Sequence, residues 1–357
     1  MDLQRIHGLL SGEQRGIGAA LLRSGLWMAQ GPYWAATTWR NRQFDRQRRE
    51  IHQVAAPVIS VGNITTGGTG KTPMVDYLAR YFRQREVRVA IVSRGYGAEE
   101  GARNDEAQEL ERRLPDVPHL QNPDRFAAAA TAIEELESQL ILLDDGFQHR
   151  RLARDLDLVL IDALNPFGYG HLLPRGLLRE SLRGLRRASA LVLSRANAVS
   201  PGQRESIRNR AVAAAGKSQP WIEAAHAPQA WVGVDMAEPL MALQGKRVAA
   251  FCGIGNPAGF RHTLEECGVE IAEWQVFPDH HSYTRDDVLQ LERWAATVQA
   301  EAIVCTEKDF VKLQVESLGE RPLRALRIGL QIQQGAEELE LLLAPLAARA
   351  LASADRT

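Results

Sequence analysis

The sequence predicts an α/β fold, a parallel sheet with helices on both faces, together with a second smaller α/β domain and an N-terminal helical arm. Three observations carry this. From residue 57 onward short apolar runs alternate with amphipathic stretches, the pattern of βαβ units. A glycine-rich turn joins the first apolar run to a helical pattern. At 357 residues the chain is long enough for two domains, which typically take about 100 to 200 residues each.

Residues 1–52 form the arm. The apolar stretch 16–28 contains Arg23 and falls well short of the roughly 20 apolar residues a spanning helix needs. The first residues lack a basic segment followed by an apolar one, so no cleavable leader is expected. Trp27, Trp34 and Trp39 lie beside Tyr33 and are followed by Arg40, Arg42, Arg46, Arg48 and Arg49. Amphipathic rings followed by arginines suit a helix lying among lipid headgroups, and a helical arm packed on the protein body suits them equally.

Residues 53–228 hold the first domain, with strands expected at 57–61, 88–93, 140–143, 158–162 and 190–194. A break rich in small residues and proline follows at 225–239, with 231–234 as a linking strand. The second domain, 229–357, adds strands at 248–254, 270–276, 302–306 and 325–330. Gly268 is expected to end one helix, and Thr284 with Asp287 to cap another that runs to about residue 296. A last helix begins near residue 336.

Charge excludes some functions. Lys+Arg 43 against Asp+Glu 44 leaves no global field to draw the chain to nucleic acid, so none is expected as a partner. Cys252, Cys267 and Cys305 have no paired spacing, which argues for a reducing compartment and against a disulfide framework or zinc site.

The chemistry concentrates in V-G-N-I-T-T-G-G-T-G-K-T-P, residues 61–73, between a strand and a helix. Main-chain N–H groups of Gly67, Gly68, Thr69 and Gly70 can converge on phosphate oxygens because little side-chain bulk intervenes, and the helix N-terminus adds positive potential. Lys71 is placed to reach the β- and γ-phosphates and the Thr72 hydroxyl to hold Mg²⁺, which makes the sheet P-loop NTPase-like. Thr65 stands where the usual G-x-x-x-x-G-K-[ST] pattern has glycine. The run L-I-L-L-D-D-G-F-Q-H-R ends a strand in Asp144 and Asp145, where a nucleotide-bound Mg²⁺ is ordinarily held.

Three other segments follow strands. S-R-G-Y-G, residues 93–97, puts Arg94 and Tyr96 near the same crevice, for a phosphate and a sugar. F-P-D-H-H-S-Y, residues 277–283, lacks a metal-ligand spacing; it suits a histidine–carboxylate pair for proton transfer, or surface histidines with no role. T-E-K-D, residues 306–309, has its lysine one place too late for a guanine-reading N-K-x-D or T-K-x-D. That weighs against a second class of function, a GTP- or ATP-dependent assembly factor or metallochaperone built on the same loop.

Together the loop, S-R-G-Y-G, D-D-G-F-Q-H-R-R-L-A-R-D, L-L-P-R-G-L-L-R-E, G-I-G-N-P and T-E-K-D, in that order over most of residues 55–315, resemble the tetraacyldisaccharide 4'-kinase (lipid A 4'-kinase) family. The resemblance implies ATP-dependent phosphorylation of the 4'-hydroxyl of an acylated glucosamine disaccharide 1-phosphate, with Mg²⁺, at the cytoplasmic face of the inner membrane. The enzyme would be peripheral or held there by its N-terminal arm. Asn104-Asp105-Glu106-Ala107 stands where the family has G-D-E-P, making Asp105 the implied catalytic base. His280 matches the histidine of the family's D-H motif and is implied to orient it, with the second domain closing over the site. Arg125, in N-P-D-R-F, matches a family arginine near the substrate, and Arg175 replaces the alanine of the usual P-A-G.

Overall fold

The computed structural model describes residues 8–95, 105–279, 281–313 and 315–354. The chain gathers into two compact units that interleave along the sequence. One comprises Met1–Tyr96, Leu114–Ala225 and Leu330–Thr357, the other Gly97–Arg113 and His226–Gly329.

The first unit contains near its start a 29-residue helix, α1 (Ile17–Asp45), which continues through Pro32. Then come β1 (Val58–Asn63), α2 (Lys71–Arg83) and β2 (Val89–Ser93). Helix α3 (Asp105–Arg113) belongs to the second unit. The first resumes with β3 (His119–Gln121), α4 (Arg125–Glu134), β4 (Leu140–Asp144), β5 (Leu156–Asp162), β6 (Ala190–Ser194), α5 (Pro201–Ala215) and β7 (Trp221–Val232). Its strands lie in the order β3-β2-β4-β1-β5-β6-β7, and each pair is parallel. Every residue of β1 is buried, as a strand flanked on both sides and covered on both faces requires. Parallel register brings Asn63, Asp144, Asp162 and Ser194 to the carboxyl ends of their strands, the edge where ligands bind in open α/β sheets.

The helix starts follow local chemistry. Asp124 accepts from the N–H groups of Phe126 and Ala127 to open α4. Ser200 and Gln203 form a capping box at α5, which ends at Gly216 in the left-handed conformation.

Strand β7 carries the chain from one unit into the other. The break expected at 225–239 is therefore strand up to Val232, followed by the antiparallel pairing of 230–232 with β8 (Ala237–Pro239). Pro228, within that stretch, lies past residues 221–223, which pair with β6, so its missing N–H leaves that ladder intact. The second unit continues with β9 (Arg247–Cys252), α6 (Pro257–Glu266), β10 (Glu270–Val276), α7 (Arg285–Thr297), β11 (Ala302–Thr306), α8 (Glu307–Leu313), β12 (Ser317–Leu318) and β13 (Arg321–Gln334). Here β10-β9-β11-β13 are parallel neighbours. Gly268 has φ 74° just past α6, and the Thr284–Asp287 capping box opens α7, both as expected. The last helix, α9 (Ala336–Ala354), returns to the first unit, where Glu340 accepts from the Tyr81 hydroxyl at 2.7 Å.

Candidate active site around the glycine-rich turn

The turn between β1 and α2 is built from main-chain geometry first. Gly70, at φ 85°, stands directly before α2, so Lys71 is the first helical residue and Thr72 the second. A Cβ at that φ would be strained, which is why glycine precedes the lysine. Thr65 is not among the described residues with positive φ. It is buried and forms an antiparallel bridge with Leu178, flanked by hydrogen bonds from Thr66 N to Leu177 O (2.8 Å) and from Arg179 N to Ile64 O (2.8 Å). Residues 64–66 are thus locally a strand, and a β-branched residue suits the place better than glycine. The departure from the usual loop pattern has a structural cause.

The rest of the turn is latched from beneath. Thr69 is buried and accepts from Asn63 Nδ2 at 2.8 Å, while its carbonyl accepts from Ser194 Oγ at 2.7 Å. Arg195 donates from Nη2 to the Gly68 carbonyl and pairs with Asp162 at 2.7 Å. Asp162, largely enclosed, has its carboxyl pushed up by burial, against the pull of Arg195. These contacts tie down two carbonyls and one side chain of the turn.

Asp144 and Asp145 end β4 beside β1. Asp144 is buried, with its Cα opposite that of Val61. Asp145 takes a positive φ of 51° and lies between two cations, Arg179 Nη1 at 2.7 Å and Lys71 Nζ at 3.7 Å. Burial works to raise its carboxyl, but Lys71, Arg179 and Arg125 outweigh burial and hold it below the ordinary carboxylate range. Arg125 is itself buried at the start of α4, and its Nη1 donates to His149 Nδ1 at 3.2 Å. Burial, with Arg125 and Arg154 adding to it, pushes the His149 imidazole down to about 4, so it is neutral near pH 7. Gln148 donates to the Asn63 carbonyl (2.8 Å) and to Glu180 (3.0 Å). Lysine and two arginines thus converge on one carboxylate, an arrangement able to exchange that partner for phosphate oxygens.

The donors available to a divalent cation are the Thr72 hydroxyl and the Asp144 and Asp145 carboxylates, hard oxygens that suit Mg²⁺. Among the described residues no three His, Cys, Asp or Glu side chains cluster as a metal cage. A Mg²⁺ shared with nucleotide phosphates needs only one or two such side chains, so the set fits that role.

Of the residues singled out from sequence, Thr65, Gly67, Gly68, Thr69, Gly70, Lys71, Thr72, Asp144, Asp145 and Arg125 all lie in the first unit, on or beside the turn and the strand end next to it. Arg94 is exposed just after β2. Tyr96 and His280 lie outside the described residues. Asp105 is the first residue of α3, and its side chain lies outside the description. Sequence reasoning assigned no part to Asn63, Gln148, Asp162, Arg179, Glu180 or Arg195. Arg179 and Glu180 stood in the quoted L-L-P-R-G-L-L-R-E run, and Asp162 was legible as a carboxylate at a strand's carboxyl end. T-E-K-D is not a base reader here, because Asp309 is fully buried and accepts from Gly253 N, Tyr283 Oη and Thr306 Oγ1.

Comparison with known proteins gives the same direction throughout. The model of the family described as tetraacyldisaccharide-1-P 4'-kinase (LpxK) matches residues 22–346. The tetraacyldisaccharide 4'-kinase of Anaeromyxobacter dehalogenans (strain 2CP-C) is 42% identical over 353 residues, covering 93% of each chain. That of Syntrophus aciditrophicus is 41% identical over 307 residues, 79% of this chain and 82% of the relative. The crystal structure of LpxK from Aquifex aeolicus in complex with ATP superposes with a TM-score of 0.72 at 30% identity, covering 91% of this chain and 99% of that one.

Proposed function

Since the chain belongs to the tetraacyldisaccharide-1-P 4'-kinase family, we propose from that premise which of its residues perform the reaction. The protein is an ATP-dependent kinase that phosphorylates the 4'-hydroxyl of the tetraacyldisaccharide 1-phosphate in lipid A biosynthesis. One observation carries the assignment of roles: Lys71 opens α2 behind a left-handed Gly70, with its ammonium 3.7 Å from Asp145 at the end of the neighbouring strand.

In this reading the N–H groups of Gly67 to Thr72 receive the β- and γ-phosphates of ATP. Lys71 turns from Asp145 toward the γ-phosphoryl group, offsetting charge that builds on its equatorial oxygens. Thr72, Asp144 and Asp145 would hold Mg²⁺, which would supply positive charge to the transferring group. Arg125, Arg94 and Tyr96 position the acceptor. Asp105 takes the proton of the 4'-hydroxyl as its oxygen forms the new bond to phosphorus and the bond to the ADP oxygen breaks. His280 orients Asp105.

The arm 1–52 meets the lipid at the cytoplasmic face of the inner membrane. Two features support that. Residues 33–45 of α1 dock by polar contacts, Tyr33 Oη to Arg179 O (2.9 Å), Asn41 to Glu180 (3.0 Å) and Asp45 to Arg150 (2.8 Å). Meanwhile Ile17, Leu21 and Met28 are 82%, 68% and 67% exposed, and Trp27, Trp34 and Trp39 more than half. Ile17, Leu21, Met28 and Trp39 fall within about 40° of one another around the helix at its usual 100° per residue. Helices among the described residues are too short or too polar to cross a membrane, and an apolar stripe with one tryptophan on it suits the interfacial layer instead.

The test is incubation with γ-labelled ATP and the tetraacylated disaccharide 1-phosphate, followed by mass spectrometry of the lipid. One added phosphate at the 4'-position, with ATP preferred to GTP, is expected. ATP hydrolysis with no change in the lipid would contradict the assignment.

A further inference from the structure

The T-E-K-D segment is absorbed neither by nucleotide binding nor by guanine recognition, yet both of its acidic residues are buried. Glu307 and Asp309 are 5% and 0% exposed. They open α8, and two residues of helix place them about 200° apart, so they grip different neighbours.

On one side Glu307 Oε2 binds Arg113 Nη2, at the C-terminal end of α3, the helix that begins at Asp105. Arg113 is completed by Glu109 at 2.8 Å and the Ile328 carbonyl at 2.8 Å, and Arg327 binds the other Glu307 oxygen at 2.9 Å. One turn on, Phe310 lies under the Arg112 guanidinium at 5.7 Å, adding a second grip on α3. On the other side Asp309 accepts from Gly253 N and from Tyr283 Oη, at 3.1 and 3.0 Å. Lys312, one turn further, donates to the His281 carbonyl at 3.1 Å. Tyr283 and His281 belong to the F-P-D-H-H-S-Y segment that contains His280. A Cβ on Gly253 would lie 3.0 Å from Asp309 Oδ1 and 3.2 Å from Tyr283 Oη, so a bare backbone is what lets these groups meet.

Burying these charges is costly, and an apolar trio would stabilise the fold at least as well as Glu109, Arg113 and Glu307. What an ion network adds is a directional contact with one acceptable geometry. We propose that Glu307 and Asp309 are positioning residues of the kinase: through Arg113 and Tyr283 one short helix ties α3, the helix that begins at Asp105, to residues 281–283, which follow His280 in the chain. The inference rests on the reading that Asp105 removes the acceptor proton with His280 beside it. It adds that the elements next to them in the chain are tied together at α8, outside the phosphate turn.

The test measures kcat, KM for ATP and for the lipid disaccharide, and the thermal midpoint, in Tyr283→Phe and Glu307→Gln. Val298→Ala, a core truncation in the same unit, serves as the control for destabilisation alone. Tyr283→Phe removes a single hydroxyl and keeps the ring, so a folded variant is secured. Both positioning variants should lose about 10-fold or more in kcat with KM for ATP unchanged, since small misplacements of a catalytic group are costly. Val298→Ala should lower the midpoint and leave kcat alone. In an Asp105→Ala background neither positioning variant should cost anything further, because groups acting as one unit are non-additive. Normal kcat in folded Tyr283→Phe and Glu307→Gln, or losses that add fully to Asp105→Ala, would overturn the proposal. Near-normal turnover of Asp105→Ala itself would instead overturn the reading beneath it.

Discussion

The turn at 64–72 and the surroundings of α8 reach order by opposite means. In the first unit the phosphate turn is shaped by main-chain geometry, a left-handed Gly70, a local β-bridge at Thr65 and carbonyls tied down by Ser194 and Arg195. In the second unit α3 and residues 281–283 are held by side chains distant in sequence, Arg113 to Glu307 and Tyr283 to Asp309. The difference suits the tasks assigned to them. A triphosphate is gripped by many equivalent N–H donors and tolerates a pre-formed cradle, whereas proton removal needs one carboxylate held at one angle. It also teaches that binding and chemistry should fail separately when each region is damaged.

Lys71→Ala is the strongest attempt to break this contrast. Loss of the cation should lower turnover by about 10²- to 10³-fold, as for loss of a principal donor to transition-state charge, and should weaken ATP binding as well. Steady-state kinetics with equilibrium ATP titration reads both effects. Next, Asp105→Ala should cost roughly 10²-fold or more in kcat, the usual scale of general-base catalysis. A smaller effect is expected at the latch beneath the turn. Arg195→Ala removes the hydrogen bond to the Gly68 carbonyl and should raise the ATP dissociation constant about 10-fold, as loss of a charged hydrogen bond of about 1.5 kcal/mol does. Replacing Leu21 and Met28 with serine should reduce binding to anionic vesicles in a flotation assay, with turnover of a detergent-dispersed substrate unchanged.

The mildest prediction concerns pH. The His149 imidazole, pushed down to about 4, is neutral in the folded protein where an unfolded chain already binds a proton. The unfolded state therefore holds more protons between about pH 6.5 and 4, and stability falls as pH drops through that window. His149→Gln should flatten the slope of the unfolding free energy against pH there, as read by urea titration at several pH values.

What the sequence made legible follows the same division. The turn was readable because glycines, lysine and threonine act over a few adjacent residues, and β1, β4 and β6 were readable because buried parallel strands are continuous apolar runs. Thr65 looked like a flaw in the pattern only because its partner, Leu178, is more than a hundred residues away. Arg179 and Arg195 act through the same kind of long-range closure, which no spacing rule reveals. The helix α1 continues past Pro32, and its second half makes contacts to Arg179, Glu180 and Arg150 that lie far away in sequence. In the second unit T-E-K-D could be compared only with a nucleotide motif, since the value of Glu307 and Asp309 lies in partners on other elements.

The most direct measurement compares Lys71→Ala with Asp105→Ala in a single-turnover transfer from γ-labelled ATP to the lipid disaccharide, with the ATP dissociation constant measured on the same preparations. The account predicts slow transfer in both, with ATP affinity lost only in Lys71→Ala. Equal loss of ATP affinity in both variants, or brisk transfer by Lys71→Ala, would contradict it.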